Sequence, residues 1–152
     1  MPASPADLER AAAALRGYDT MALATVSADG PHVAGVFFAP EAVEGGGIRL
    51  LLAVLRDSRK HRELLGDPRV AFVCSPGKPT RWVQGSGEAR VAAGGEGDAV
   101  LRGLEAHSPD AAAFVSRLSV APVVVAVRTL KVVEELGRPA LVLDLGPSRS
   151  AV

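Results

Sequence analysis

Cysteine is almost missing from this chain. Cys74 is the only one in 152 residues, which excludes a disulfide framework and fits a reducing compartment. It ends an apolar run and reads as a small buried hydrophobe rather than a reactive thiol. Aromatic residues make up only 4% of the chain, too few for a platform that stacks single-stranded nucleic acid. Lys+Arg and Asp+Glu are 17 each, so no net field steers the chain to nucleic acid or to an anionic membrane. No apolar run approaches the ~20 residues that span a bilayer. The N-terminus lacks a basic region followed by an apolar one. These absences describe a cytoplasmic protein, with neither nucleic acid nor membrane as partner.

The chemistry is sparse too. His32, His61 and His107 are far apart in sequence, and none stands near Cys74 or a carboxylate at ligand spacing, so no metal site is expected. There is no Gly-x-Ser-x-Gly elbow and no Cys–His pairing for covalent hydrolysis. The acids are scattered, with no pair placed for proton transfer. No side chain is singled out as catalytic, so any difficult chemistry belongs to a bound cofactor.

What the chain does have is a basic stretch between two apolar runs. Asp57-Ser58-Arg59-Lys60-His61-Arg62-Glu63-Leu64-Leu65-Gly66-Asp67-Pro68-Arg69 lies between Ile48–Val54 and Val70–Cys74. It reads as a short helix capped by Asp57 or Ser58 and ended by Gly66 and Pro68. Arg59, Lys60 and Arg62 crowd its first turn, where the helix dipole is already positive, at about 0.3–1 kcal/mol each. A phosphate docked there would reverse the sign, because backbone N–H groups and cations would converge on one anion. The plain alternative is a solvated basic turn.

The rest is laid out around this stretch. Ser4-Pro5-Ala6-Asp7 opens a helix over Pro5–Arg16 that Gly17 stops. Thr20–Ser27 and His32–Ala39 form a hairpin over Asp29-Gly30, and the first of these runs is apolar on both sides, which requires cover on both faces. Thr80–Val91 alternates, with Trp82, Gln84, Ser86, Glu88 and Arg90 on one face. The other face carries Gly85 and Gly87, suited to a curved sheet. Gly94–Gly97 reads as a loop, followed by helices over Asp98–His107 and Asp110–Leu118. Val123–Val127 is a buried strand, and Leu130–Leu136 with Ala140–Leu145 make a closing hairpin. This gives one domain over 1–145, with barrel parts at about 20–92 and 120–145, a helical insert at 94–120 and a loose tail at 146–152. Short antiparallel strands with helical inserts indicate a barrel.

Taken together, Ala22-Leu23-Ala24-Thr25-Val26, Asp29-Gly30-Pro31-His32-Val33, Ser58-Arg59-Lys60, Asp67-Pro68-Arg69-Val70 and Gly87-Glu88-Ala89 resemble the pyridoxamine 5′-phosphate oxidase-like, FMN-binding split-barrel superfamily over roughly residues 20–92. The resemblance implies a mainly β fold, a six-stranded antiparallel Greek-key split barrel, forming a homodimer with FMN at the subunit interface. It implies that Ser58, Arg59 and Lys60 hold the phosphate, that Val33, Ala34, Gly35 and Val36 run along the flavin ring, and that Val54, Trp82 and Gln84 complete the site. Ala34 and Ala39 stand where the vitamin-pathway oxidases carry Arg and Lys, and their C-terminal Trp and Arg motif is missing. The implied function is an FMN-dependent oxidoreductase acting on a small molecule other than pyridoxamine phosphate. Lys60, Leu64 and Asp67-Pro68-Arg69 also look like a branch that uses a deazaflavin coenzyme. His61 and His107-Ser108-Pro109 are similar to a branch that binds haem. A non-catalytic cofactor-binding barrel is the remaining alternative.

Overall fold

The structure, a computed structural model, describes residues 3–146. Among these, the chain runs α1 (Pro5–Arg16), β1 (Thr20–Ser27), β2 (Gly30–Ala42), β3 (Ile48–Leu55), α2 (Arg59–Gly66), β4 (Arg69–Cys74), β5 (Trp82–Val91), α3 (Gly94–His107), α4 (Pro109–Arg117), β6 (Val120–Val133) and β7 (Leu141–Asp144). The strands neighbour one another in the order β3-β2-β1-β4-β5-β6-β7, and β3 also pairs with β6. That last antiparallel pairing, from Arg49↔Ala126 to Leu55↔Val120, closes β1 to β6 into a six-stranded barrel. β7 adds only to the far half of β6, at Thr129–Val132. Of the expected loose tail, Gly146 is the last described residue and the remainder lies outside the described residues.

Two glycines allow the closure. A Cβ on Gly85 would stand 2.3 Å from the Thr129 carbonyl oxygen, and one on Gly87 would stand 2.3 Å from that of Ala126. Only a bare backbone lets β5 approach β6 so closely at the register shift between Ser86 and Gly87. Two expected boundaries differ. Val123–Val127 and Leu130–Leu136 are not separate strands, because Arg128 and Thr129 continue one strand, β6, past that shift. Gly94–Gly97 is the first turn of α3 rather than a loop: Gly97 is buried, with space for its Cβ limited by Pro122 Cγ at 3.0 Å, so packing overrides poor helix propensity.

Apolar side chains fill two layers. Inside the barrel, Leu23, Phe38, Leu50, Leu52, Val123, Val125 and Leu130 pack together, and α1 adds Ala11 and Leu15. Outside it, α3 and α4 lay Val100, Leu104 and Ala111 over Leu51, Ala53 and Val124, with the Phe37 and Phe114 rings 5.6 Å apart. The opposite outer face is bare among the described residues. Ala22 stands across from Gly35 and Val73, and Ala24 across from Val33 and Ala71. Val33, Gly35, Ala71 and Val73 are exposed, so the cover expected on both sides of β1 is present on one side only within a single chain. No helix among the described residues is long and apolar enough to cross a membrane.

Candidate functional site

The edge of that bare face meets the start of α2. β3 ends at Leu55, whose carbonyl accepts from the Ser58 amide at 3.2 Å. Between them Asp57 adopts a left-handed backbone (φ 61), uncommon for a residue with a side chain. Its amide donates to His61 Nδ1 at 3.0 Å, and the Arg62 guanidinium donates to its carbonyl. This turn aims Ser58 at the helix as its N-cap, with Oγ accepting from the His61 amide at 3.2 Å. Among the described residues the Ser58 hydroxyl donates to no acceptor, which leaves its hydrogen for a ligand.

No acid lies in the first turn of α2. Burial, together with the neighbouring Arg59 charge, pushes the Lys60 ammonium below the usual lysine value. Lys60 is thus a cation in a place that disfavours cations. One turn on, Glu63 is buried, with only 8% of its surface exposed. Its Oε2 accepts from Thr25 Oγ1 at 2.8 Å. Its Oε1 lies 2.9 Å from His32 Nδ1 and 3.2 Å from Arg59 Nε. Neither Oε1 nor His32 Nδ1 has an aligned hydrogen bond among the described residues, so these are close polar contacts, the one with Arg59 an ion pair. The Thr25 hydroxyl, and then the His32 side chain and the Arg59 charge, hold the Glu63 carboxyl below the ordinary range against the opposing effect of burial.

A cleft of about 260 Å³ opens between these elements, lined by Thr25, His32, Val33, Ala34, Ser58, Arg59 and Lys60. Five of the residues expected at a cofactor site, Val33, Ala34, Ser58, Arg59 and Lys60, therefore share one wall system. The others do not join it within one chain. Gly35 sits on the outer face, Val36 and Val54 are buried in the barrel core, and Trp82 and Gln84 lie on the outer face of β5, where Trp82 Nε1 donates to Gln84 Oε1 at 2.7 Å. Thr25, His32 and Glu63 were missed by the sequence reading. Their signals were the β1–β2 register, which sets Thr25 opposite His32, and the four-residue step from Arg59 to Glu63.

Other candidates have structural uses. His107 Nε2 lies 2.9 Å from the Tyr18 carbonyl, and Ser108 caps α4. Burial pushes the Cys74 thiol up to about 12, so it stays protonated. A larger cavity of about 850 Å³ lies between the Gly45–Gly47 loop and the end of β5. There Arg49 and Arg90 are already paired with Glu41 and Glu96, so the cavity offers no cation lacking an acid partner.

The family model described as pyridoxamine 5′-phosphate oxidase matches residues 8–134. Among solved structures, the heme binding protein from Mycobacterium smegmatis superposes with a TM-score of 0.69 at 21% identity, over 91% of this chain and 58% of that one. This chain thus spans little more than half that protein's length. HutZ, the heme storage protein from Vibrio cholerae, gives 0.64 at 18% identity over 84% and 96% of the two chains. General Stress Protein 26 from Bacillus anthracis gives 0.66 at 19% over 90% and 97%. At such identities the likeness shows the fold. No curated protein matches the sequence significantly. With the family model matched over most of its length and the six-stranded barrel closed as described, this chain belongs to the pyridoxamine 5′-phosphate oxidase family.

Proposed function

We propose that the chain binds FMN, with the phosphate at the start of α2, and passes electrons or hydride to a small organic molecule other than pyridoxamine phosphate. The observation that carries this reading is the cleft: a serine N-cap and two cations with no first-turn acid, walled by Val33 and Ala34. An anion there meets the Ser58 hydroxyl, the Lys60 ammonium, the terminal nitrogens of Arg59 and the free amides of the first turn. It also reverses the electrostatic penalty on Lys60. When bound, the flavin ring would supply the redox chemistry. The protein's part is to bind the tail, orient the ring along β2 and exclude water.

The cleft is open on the side of the bare face, and Val33 (67% exposed) belongs to both. A second copy of the chain laid on Ala22, Ala24, Gly35, Ala71 and Val73 would bury this apolar surface and cover the cleft, and could bring its own Trp82 and Gln84 to the ring. A haem reading is favoured by one feature, His32 in the cleft wall, and by the names of two structural relatives.

The absorbance spectrum and titrations of the purified chain with FMN, deazaflavin coenzyme and haem separate the readings. FMN is expected to quench on binding, and Arg59→Ala with Lys60→Ala to weaken it about 100-fold or more, since two charge-assisted contacts are lost. A Soret band with no flavin affinity would replace the FMN reading by haem. Unchanged affinity in the double variant would remove the phosphate assignment.

A further inference from the structure

We propose that Glu63 is the positioning residue of the α2 anion site, gathering Arg59 and His32 from behind the cleft so that both serve one phosphate. The inference rests on the phosphate reading above and concerns a residue that would not touch the ligand. Thr25 from β1, His32 from β2 and Arg59 from α2 all line the cleft. Glu63 does not; it is buried behind them and contacts all three, with Thr25 on Oε2 and the His32 and Arg59 side chains on Oε1. A buried carboxylate is retained only where partners compensate its lost hydration, and here every partner is a residue of the cleft wall.

The contact with Arg59 determines what that side chain can offer. Arg59 is otherwise an exposed, rotamer-rich side chain. Glu63 engages Nε, which leaves the two terminal nitrogens to face a phosphate as a fork. On His32 it faces Nδ1, so that a protonated ring would present its Nε2–H to a phosphate. Thr25 holds the carboxylate itself in place. The arrangement pre-orders three elements of the fold around one anion, reducing the ordering cost of binding.

This role has a signature that simple charge does not share. Coulomb's law alone makes Glu63 repel a phosphate, so neutralising it should tighten FMN. Positioning predicts the opposite sign. Flavin fluorescence titration of Glu63→Gln, which keeps the shape and the Thr25 contact, is expected to weaken FMN about 10-fold, the effect of one misplaced charge-assisted contact. Riboflavin, which lacks the phosphate, should bind the variant and the parent chain equally, whereas general damage to the barrel would weaken both ligands. In an Arg59→Ala background, Glu63→Gln should cause a smaller further loss, the share carried by His32.

Unchanged or tighter FMN binding in Glu63→Gln would overturn the assignment to Glu63. So would an equal loss of riboflavin. A parent chain that binds FMN no better than riboflavin would instead remove the phosphate reading, and this inference with it. Should Glu63→Gln not fold, Thr25→Val gives the same test: it leaves the charge and frees the carboxylate, so FMN should weaken several-fold with riboflavin unmoved, and no change would be decisive against the proposal.

Discussion

Helices α1, α4 and α2 start on the same device and then diverge. Each has a serine N-cap whose Oγ accepts the amide three residues on, at 3.1 Å from Asp7, 3.3 Å from Ala111 and 3.2 Å from His61 respectively. In α1 and α4 a proline follows the cap and an acid stands in the first turn, Asp7 or Asp110. These choices pre-set the backbone and oppose the helix dipole, and both favour stability. In α2 the proline is gone, the acid is gone, and Arg59 and Lys60 occupy the turn. The left-handed Asp57 in front adds backbone strain. The fold thus builds helix starts for stability twice and departs from that rule where the cleft opens. Strain and a crowded pair of cations, only Arg59 of them facing an acid, are what a binding site costs the empty protein.

The comparison is broken most severely by giving α2 the charge pattern of the other two. Arg59→Glu with Lys60→Glu should abolish FMN binding, by about 1000-fold or more, since two attractive contacts become repulsive ones. Lys60→Glu should leave the helix as stable or more so, by about 0.3–1 kcal/mol, whereas Arg59→Glu sets a like charge beside the buried Glu63 and should destabilise by more than it gains at the dipole. Calorimetry and fluorescence titration on one sample read both signs. Retained binding would mean that the cations of α2 are merely solvated.

The caps sharpen it at a smaller scale. Ser108→Ala should destabilise by about 1–2 kcal/mol, since the hydroxyl is buried and the Ala111 amide loses its acceptor, with FMN affinity unmoved. Ser58→Ala should cost about 1 kcal/mol of stability. Because its hydroxyl also faces the cleft, that substitution should weaken FMN several-fold as well. Denaturant melts with parallel titrations distinguish a cap that only caps from one that also binds.

Much of this contrast was legible in the residues. The Ser-Arg-Lys run predicted the anomalous helix start, the Asp-Gly turn predicted the β1–β2 hairpin, and the glycine-bearing face of β5 predicted curvature, because each depends on local chemistry. What resisted reading depends on distant partners. Gly94–Gly97 is helical because Pro122 on β6 receives Gly97. β6 runs unbroken because β5 shifts register beside it. Glu63 looked like one more surface acid on a charged helix; only the approach of β1 and β2 buries it against Thr25 and His32. Trp82 and Gln84 were grouped with the cleft by resemblance, and within one chain they stand apart from it.

The smallest expected effect lies in the titration of Lys60, where stability and binding move in opposite directions. Folding lowers this ammonium below its usual value, by burial first and by Arg59 second. The protonated form is therefore disfavoured in the folded empty protein, and stability should rise slightly as pH climbs from the folded value toward the unfolded one. FMN requires the charged form, so binding takes up a proton over that interval and affinity should fall as pH rises through it. Lys60→Met removes the ammonium and keeps much of the stem. At neutral pH it should stabilise the empty protein by a few tenths of a kcal/mol, about the benefit of taking one cation out of a helix start. It should also weaken FMN about 10-fold and flatten the alkaline fall in affinity. If that slope persists in Lys60→Met, another group governs it and the cation at the head of α2 is not the one that meets the phosphate.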